Sequence, residues 1–252
     1  MTSTSQSIYE AAIRINPFEC DFKQELKPAA FFQHLTEAAG VHAGQLGVGF
    51  GAMYAQNLFW VLSRMKIKFF CFPQSGDLIT VRTWPKSIQR NVLYIRDFEV
   101  LDSGGERLAS ATSAWLVMNA TTRRMASPKS VNLNLPVVID QIGLDESLDR
   151  LSPAQNGEER LRVRAGYSAV DIIGHVNNSR YVEWICDAFP LEMYRKHKID
   201  WIQINYEHEI LPGEDVSILV SPSEHDDGQW VVEGLNRSKN ARAFESLLSW
   251  RD

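Results

Sequence analysis

Residues 161–250 repeat the order of elements read in residues 13–118, and a chain that runs twice through one pattern is expected to fold into two like units. The first pass opens with an extended stretch, Ile13 to Lys23, in which Pro17 suits an edge strand or a bulge. Pro28 fits the first position of a helix, along which Phe31, Leu35, Ala38 and His42 form an apolar stripe before the glycine-rich Gly40–Gly51 stretch. Strands are predicted at Leu58–Phe72, Leu78–Trp84, Val92–Leu101 and Arg107–Met118, with turns at Pro73–Asp77 and Asp102–Gly105. The second pass gives strand Leu161–Tyr167, helix Asn178–His197, then strands Asp200–Ile210, Asp215–Val220, Trp230–Arg237 and Ala241–Trp250. Local wording recurs too. The turn Pro73-x-x-Gly76-Asp77 and the turn Pro212-Gly213-Glu214 feed a strand at the same place in each half.

A single helix followed by an antiparallel meander is an α+β pattern, with the helix laid across the sheet. Two such units are expected, residues 8–125 and 158–252, pairing as a pseudo-dimer with sheets joined edge to edge. Between them residues 126–157 carry Pro128, Pro136 and Pro153 and read as an extended crossover, with at most a short helix at Leu144–Leu151.

Composition narrows the function classes. With 44% hydrophobic and 23% charged residues, the 252-residue chain has enough apolar material for a real core. A net charge of −5 argues against non-specific nucleic-acid binding, which needs a basic surface. No apolar run is long enough to span a bilayer, and the polar Met1–Ser7 lacks the features of a secretory leader, so a cytoplasmic protein is expected. Cys20, Cys71 and Cys186 are scattered and read as reduced, buried thiols; no C-x-x-C pair, P-loop or dinucleotide fingerprint occurs. Gly47, Gly49 and Gly51 read as a loop, and His34 and His42 as packing or solvent-facing residues. Neither a metal nor a cofactor is expected.

The chemistry concentrates in the run Asp171-Ile-Ile-Gly-His175-Val-Asn-Asn178. An alternating strand precedes it, and Tyr181, Trp184, Ile185 and Ala188 follow at helical spacing, with Asn177 or Asn178 as N-cap. An Asp and a His are thereby held at a helix N-terminus, where unpaired backbone N–H groups can polarise a carbonyl. Spacing alone also suits a plain capped turn, closed by Asp171 and Asn177, with His175 merely satisfied. Thr121-Thr-Arg-Arg124 is a small basic cluster that fits either a solvated surface or a binding patch.

Several separated motifs in a fixed order give a more specific reading. Trp60-Val-Leu-Ser-Arg-Met65, Gly76-Asp77, Ala111-Thr-Ser-Ala-Trp115 and Met118 to Arg124 lie in the first half. His175-Val-Asn-Asn178, Tyr181, Trp184 and Tyr206-Glu-His-Glu209 lie in the second. Together they make the chain resemble the acyl-acyl-carrier-protein thioesterases, tandem hotdog enzymes, over most of its length.

The resemblance implies hydrolysis of a fatty acyl thioester to free fatty acid and carrier, without a cofactor. Asp171 and His175 match the family's acid and histidine, and the acid three residues after a Tyr falls on Glu209. The family's Asn between Asp and His is Ile173 here, and a cysteine invoked in older mechanisms is Ile210. Carried over, Asp171 acts as base or nucleophile, His175 orients it or the carbonyl, and Glu209 fixes the water or the imidazole. Because Glu207 and Glu209 share strand parity, only the resemblance selects Glu209. Ile173 and Asn177 would border the substrate. Trp60 and Met65, with Phe59 and Phe69, would shape an acyl tunnel in the first unit. Arg123 and Arg124, or Arg64 with Lys66, would dock the acidic acyl carrier protein. An acyl-CoA thioesterase, a hotdog hydratase or dehydratase, and a non-catalytic acyl-binding or carrier-docking module remain as alternatives. Chain-length preference and quaternary state, a homodimer included, are left open.

Overall fold

A computed structural model describes residues 7–126, 131, 133–151, 157–224, 226 and 228–252. All of Met1–Ser7 but Ser7, Pro128, Pro153 and part of the expected crossover lie outside the described residues. The chain divides into one unit of Met1–Lys27 with Gln33–Leu148 and a second of Pro28–Phe32 with Asp149–Asp252.

The first unit carries β1 (Tyr9–Arg14), β2 (Leu58–Phe69), β3 (Leu78–Gln89), β4 (Leu93–Leu101) and β5 (Arg107–Asn119). Helix α1 (Pro28–Gln45) precedes β2, as does the short α2 (Phe50–Tyr54). The strands pair antiparallel in the order β1-β3-β4-β5-β2. This is not the meander expected from the sequence. The edge of β3 is taken by β1, so β2 pairs instead with the free edge of β5. Phe31, Leu35, Ala38 and His42 are all buried along α1, as their spacing predicts. The His42 Nδ1 accepts from the Arg96 guanidinium at 3.0 Å, tying α1 to β4.

The second unit carries β6 (Glu158–Arg164), β7 (Lys198–Tyr206), β8 (Asp215–Pro222), β9 (Gln229–Asn236) and β10 (Ala241–Arg251), with α3 (Asn178–Asp187) and α4 (Leu191–Lys196). Its order, β6-β8-β9-β10-β7, is the order of the first unit read from the same edge. The helical stripe of Tyr181, Trp184, Ile185 and Ala188 is buried. The Tyr181 ring meets Tyr206 on β7 and Phe244 on β10 edge-on, which seats α3 on its sheet.

Several boundaries differ from expectation for local reasons. The first extended stretch stops at Arg14, because Pro17 opens a single 3₁₀ turn whose Glu19 carboxylate accepts the Asn16 backbone N–H at 2.9 Å. The matching strand likewise ends at Arg164, and Tyr167, expected as the last residue of that strand, begins a 3₁₀ turn and is exposed. The long helix from Asn178 breaks before Pro190, which lacks the N–H a continuing helix requires and instead caps α4. The glycine stretch is only partly loop. Gly44 lies inside α1, Gly49 caps α2 and Gly51 is within it. Cys71, expected to be buried, is exposed just past the end of β2.

No helix or strand forms among the described residues from 131 to 151, Leu144–Leu151 included. Part of this stretch is nevertheless fixed to the first unit. Trp84 Nε1 donates to the Gln141 carbonyl at 3.1 Å and Lys86 Nζ to the Leu144 carbonyl at 3.0 Å. Gly143 donates its N–H to Asp97 at 2.9 Å, and only glycine fits, since a Cβ there would sit 2.7 Å from the Phe98 carbonyl oxygen.

Candidate active site

The turn that carries Asp171 is built twice. In the second unit Asp171 Oδ1 accepts the backbone N–H groups of Ile173 and His175 at 3.0 and 3.4 Å. The Asp171 N–H reaches the His175 carbonyl at 2.8 Å and Gly174 N–H the Asp171 carbonyl at 3.1 Å. In the first unit Asp21 Oδ1 accepts from Lys23 and Glu25 at 2.8 and 3.1 Å, with the same two backbone bonds at 2.8 and 3.0 Å. Each turn needs a left-handed residue, Gln24 at φ 66° and Gly174 at φ 83°, and glycine adopts that conformation without a Cβ penalty. The Asp is thus an architectural residue of both turns. Only one carboxylate oxygen is spent on that task, and Asp171 Oδ2 takes no part in it.

What differs between the turns is the residue four positions on and the loop opposite. Val176 N–H donates to the Ile210 carbonyl at 2.9 Å, and in the first unit Leu26 N–H donates to the Pro73 carbonyl at the same distance. This staple fixes the residue before Ile210 against the residue before Val176. In the second unit these are Glu209 and His175, whose Oε2 and Nε2 lie 3.2 Å apart. In the first unit the same places hold Phe72 and Glu25. The pair is reachable from solvent, with side chains 22% exposed for His175 and 45% for Glu209.

Strand β7 ends at Tyr206, so the shared parity expected of Glu207 and Glu209 does not apply. The N–H groups of Glu207 and His208 both point at the Ala243 carbonyl, at 2.8 and 3.1 Å, and the chain turns there. Glu207 is drawn to Arg242 at 3.0 Å, whereas Glu209 is left facing the imidazole.

A buried tyrosine supports the pair. The Tyr181 hydroxyl accepts the N–H of Ile210 at 3.2 Å, and the Tyr206 hydroxyl donates to the Asn178 carbonyl at 3.0 Å. Burial, followed by the Glu209 and Asp171 carboxylates, pushes the Tyr181 phenol above its ordinary range, so it stays protonated. Sequence reasoning placed Tyr181 on the apolar stripe but missed its hydroxyl. The signal was a tyrosine at a stripe position that an ordinary apolar residue could fill.

The remaining expected residues fall in several places. Asn177 caps α3, its Oδ1 accepting from the Ser179 N–H at 3.0 Å and the Ser179 hydroxyl at 2.7 Å. Ile173 is 47% exposed on the turn beside Asp171. In the first unit Trp60 lines a cavity of about 260 Å³ and donates its indole N–H to the Val48 carbonyl at 2.8 Å. Met65 is fully buried and does not line that cavity. Arg123 and Arg124 are exposed, with the Arg123 guanidinium 5.4 Å from the centre of the Phe59 ring. Arg64 and Lys66, the other docking candidates, are buried. Arg64 donates to the Leu148 carbonyl at 2.6 Å and Lys66 pairs with Glu146, so neither offers a free charge. Burial pushes the Cys186 thiol up to about 12, which leaves it inert at neutral pH. No group of His, Cys, Asp and Glu among the described residues could hold a metal ion, and no described helix is long and apolar enough to cross a membrane.

Comparison with known families adds a decisive observation. Residues 6–130 match the acyl-ACP thioesterase N-terminal domain and residues 152–250 the acyl-ACP thioesterase C-terminal domain. The chain belongs to the acyl-ACP thioesterase family. It is 30% identical over 218 residues to a chloroplastic palmitoyl-acyl carrier protein thioesterase of Gossypium hirsutum, covering 80% of this chain and 52% of that protein. It is likewise 30% identical over 215 residues to a chloroplastic dodecanoyl-[acyl-carrier-protein] hydrolase of Cinnamomum camphora, covering 80% and 56%. The chain therefore spans about half the length of the curated relatives it matches. An acyl-ACP thioesterase structure from Bacteroides thetaiotaomicron superposes with a TM-score of 0.88 at 27% identity, covering 99% of this chain and all of that one. The 12:0-ACP thioesterase of Umbellularia californica, at 23% identity, shares the fold with a TM-score of 0.79. The fold is the tandem hotdog of the thioesterase family.

Proposed function

We propose that this family member hydrolyses fatty acyl thioesters of an acyl carrier protein, with residues 8–125 binding the acyl chain and residues 158–252 holding the chemistry. The observation that carries the reading is the His175–Glu209 pair. It stands on a turn that the first unit also builds, but there with Glu25 and Phe72. The turn does not need those side chains, which favours a chemical purpose for them.

In this reading Asp171 Oδ2 takes a proton from a water held beside His175, and the water oxygen attacks the thioester carbonyl carbon. Negative charge passes to the carbonyl oxygen, and as it returns the carbon–sulfur bond breaks. The carrier's thiolate leaves and takes up the transferred proton through His175. The imidazolium that forms on the way is stabilised by Glu209, 3.2 Å from Nε2. A nucleophilic Asp171, forming an acyl anhydride, is the variant route. Label found in Asp171 after a single turnover in ¹⁸O-water identifies the anhydride route with water attacking the aspartyl carbonyl, because direct attack of water on the thioester labels only the fatty acid.

The test of the activity is thiol release from acyl-carrier-protein and coenzyme A thioesters, read with a thiol-trapping dye. Release of thiol with equimolar fatty acid supports hydrolysis. An intact thioester with a hydrated or dehydrated chain assigns the protein to hydratase chemistry instead, and no turnover assigns it to binding alone.

Arg123 and Arg124 are the proposed docking site for the acidic carrier. Reversing both to Glu is expected to raise KM for the carrier substrate about tenfold while a short, uncharged thioester reacts as before. Added salt should weaken the unmodified protein's carrier binding in the same direction. Equal response of both substrates removes this patch from the interface.

Ile173 stands where the family places Asn. Ile173→Asn restores a donor and an acceptor beside the attacking water, and one well-aligned hydrogen bond made mainly in the transition state is worth about 2 kcal/mol, or roughly thirtyfold in kcat. Because Ile173 is exposed, its melting temperature should hardly move. Unchanged or slower turnover at an unchanged melting temperature would show that this position does not address the water.

A further inference from the structure

The second half of the chain places two buried hydroxyls around the His175–Glu209 pair at positions where the first half has none. Tyr181 lies on α3, five residues after the stapled Val176, and the matching place on α1, five after Leu26, is Phe31. Tyr206 ends β7 three residues before Glu209, just as Phe69 ends β2 three residues before Phe72. Phe31 and Phe69 are both buried, so a plain phenyl ring can fill either place.

What the two hydroxyls touch is backbone. Tyr206 donates to the Asn178 carbonyl at the start of α3, and Tyr181 accepts the N–H of Ile210 at 3.2 Å. Ile210 is thereby held at both ends, through its N–H by Tyr181 and through its carbonyl by Val176. The residue just before it is Glu209. In the first unit that place belongs to Pro73, whose carbonyl takes the same 2.9 Å bond from Leu26 but which has no N–H to hold. A proline restrains the loop through its ring, whereas an isoleucine needs a partner for a buried donor. The tyrosine thus occurs in the half that carries His175 and Glu209, and the proline in the half that carries neither.

We infer that Tyr181 is a positioning residue for hydrolysis: its hydroxyl fixes the Ile210 N–H and so sets the path of the loop that brings Glu209 to His175. The inference rests on the hydrolytic reading above. Tyr181→Phe isolates the effect. The ring that meets Tyr206 and Phe244 edge-on is kept. No charge changes either, because burial keeps the phenol protonated. Only the anchor of Ile210 is lost.

The experiment compares Tyr181→Phe with the parent protein in thiol release and in amide hydrogen exchange. Turnover is expected to fall about tenfold in kcat with KM unchanged, since the acyl chain and the carrier meet other residues. Exchange at the Ile210 amide should become at least about tenfold faster. Combined with Glu209→Gln, Tyr181→Phe should cost nothing further, because the hydroxyl acts through that carboxylate. A second variant, Tyr181→Phe with Ile210→Pro, copies Phe31 and Pro73 and leaves no orphaned N–H. It is expected to regain any lost stability and to come within about threefold of the parent kcat. A purely structural tyrosine would lower the melting temperature of Tyr181→Phe and leave kcat at the parent value, which overturns the inference. So does a further loss on top of Glu209→Gln, or a stable double variant as slow as Tyr181→Phe. Unchanged exchange at Ile210 overturns it without any turnover being needed. Absence of thiol release from the parent protein instead overturns the hydrolytic reading, and the Ile210 amide then reports the anchor by itself.

Discussion

Asp171→Asn is expected to lower thioester hydrolysis at least about a hundredfold with little change in melting temperature. The amide oxygen of Asn can still accept the N–H groups of Ile173 and His175 that Asp171 Oδ1 now receives, so the turn survives. What disappears is the negative charge and the basic second oxygen. The duplicated fold supplies a control within the same molecule. Asp21→Asn makes the identical chemical change in a turn with the same four hydrogen bonds but no histidine, and it should leave turnover near normal. Asp171→Ala is a different experiment, since it deprives two backbone donors of their acceptor and should destabilise as well as inactivate. If Asp171→Asn and Asp21→Asn behave alike, with near-normal turnover, Asp171 is a turn residue and the base lies elsewhere.

Loss of the imidazole should be as severe. His175→Ala is expected to reduce kcat at least about a hundredfold, while Glu209→Gln should reduce it about tenfold, because Glu209 acts on the substrate through the ring it faces. For the same reason the double variant should be no worse than His175→Ala alone, which is the non-additivity expected of groups that work as a unit. Fully multiplicative losses would mean that Glu209 acts directly, on the water or the carbonyl. Melting temperatures should stay close to that of the parent protein, since both side chains are partly exposed and neither removal opens an apolar cavity.

The separation between what the sequence determined and what needed the tertiary structure follows from the range of the interactions concerned. Element identity and order were legible because they are set locally. Pro28 starts a helix by its fixed φ, the stripe from Tyr181 to Ala188 buries one helical face, and Asn177 caps it through its own side chain. The repeat of that order was enough to give two like units, and the family motifs gave the candidate residues. Short-range errors had short-range causes as well, such as Pro190 ending α3 and Pro17 ending the first extended stretch.

Strand partners were a different matter. Nothing within β2 says whether it will pair with the following strand or with β5, because that depends on β1 having already occupied β3. Burial was equally non-local. Lysine and arginine at alternate positions of β2 look like a solvent face, but Arg64 and Lys66 are covered and paired by residues some eighty positions away. The choice between Glu207 and Glu209 was beyond strand periodicity, since β7 ends before either of them and the loop's path is set by Ala243 on one side and Val176 on the other. The sequence by itself therefore determined the doubled pattern, the start of the main helix in each unit and the residue types of the site. Tertiary structure decided which glutamate meets His175 and which basic residues stay exposed, because both depend on contacts between segments far apart in the chain.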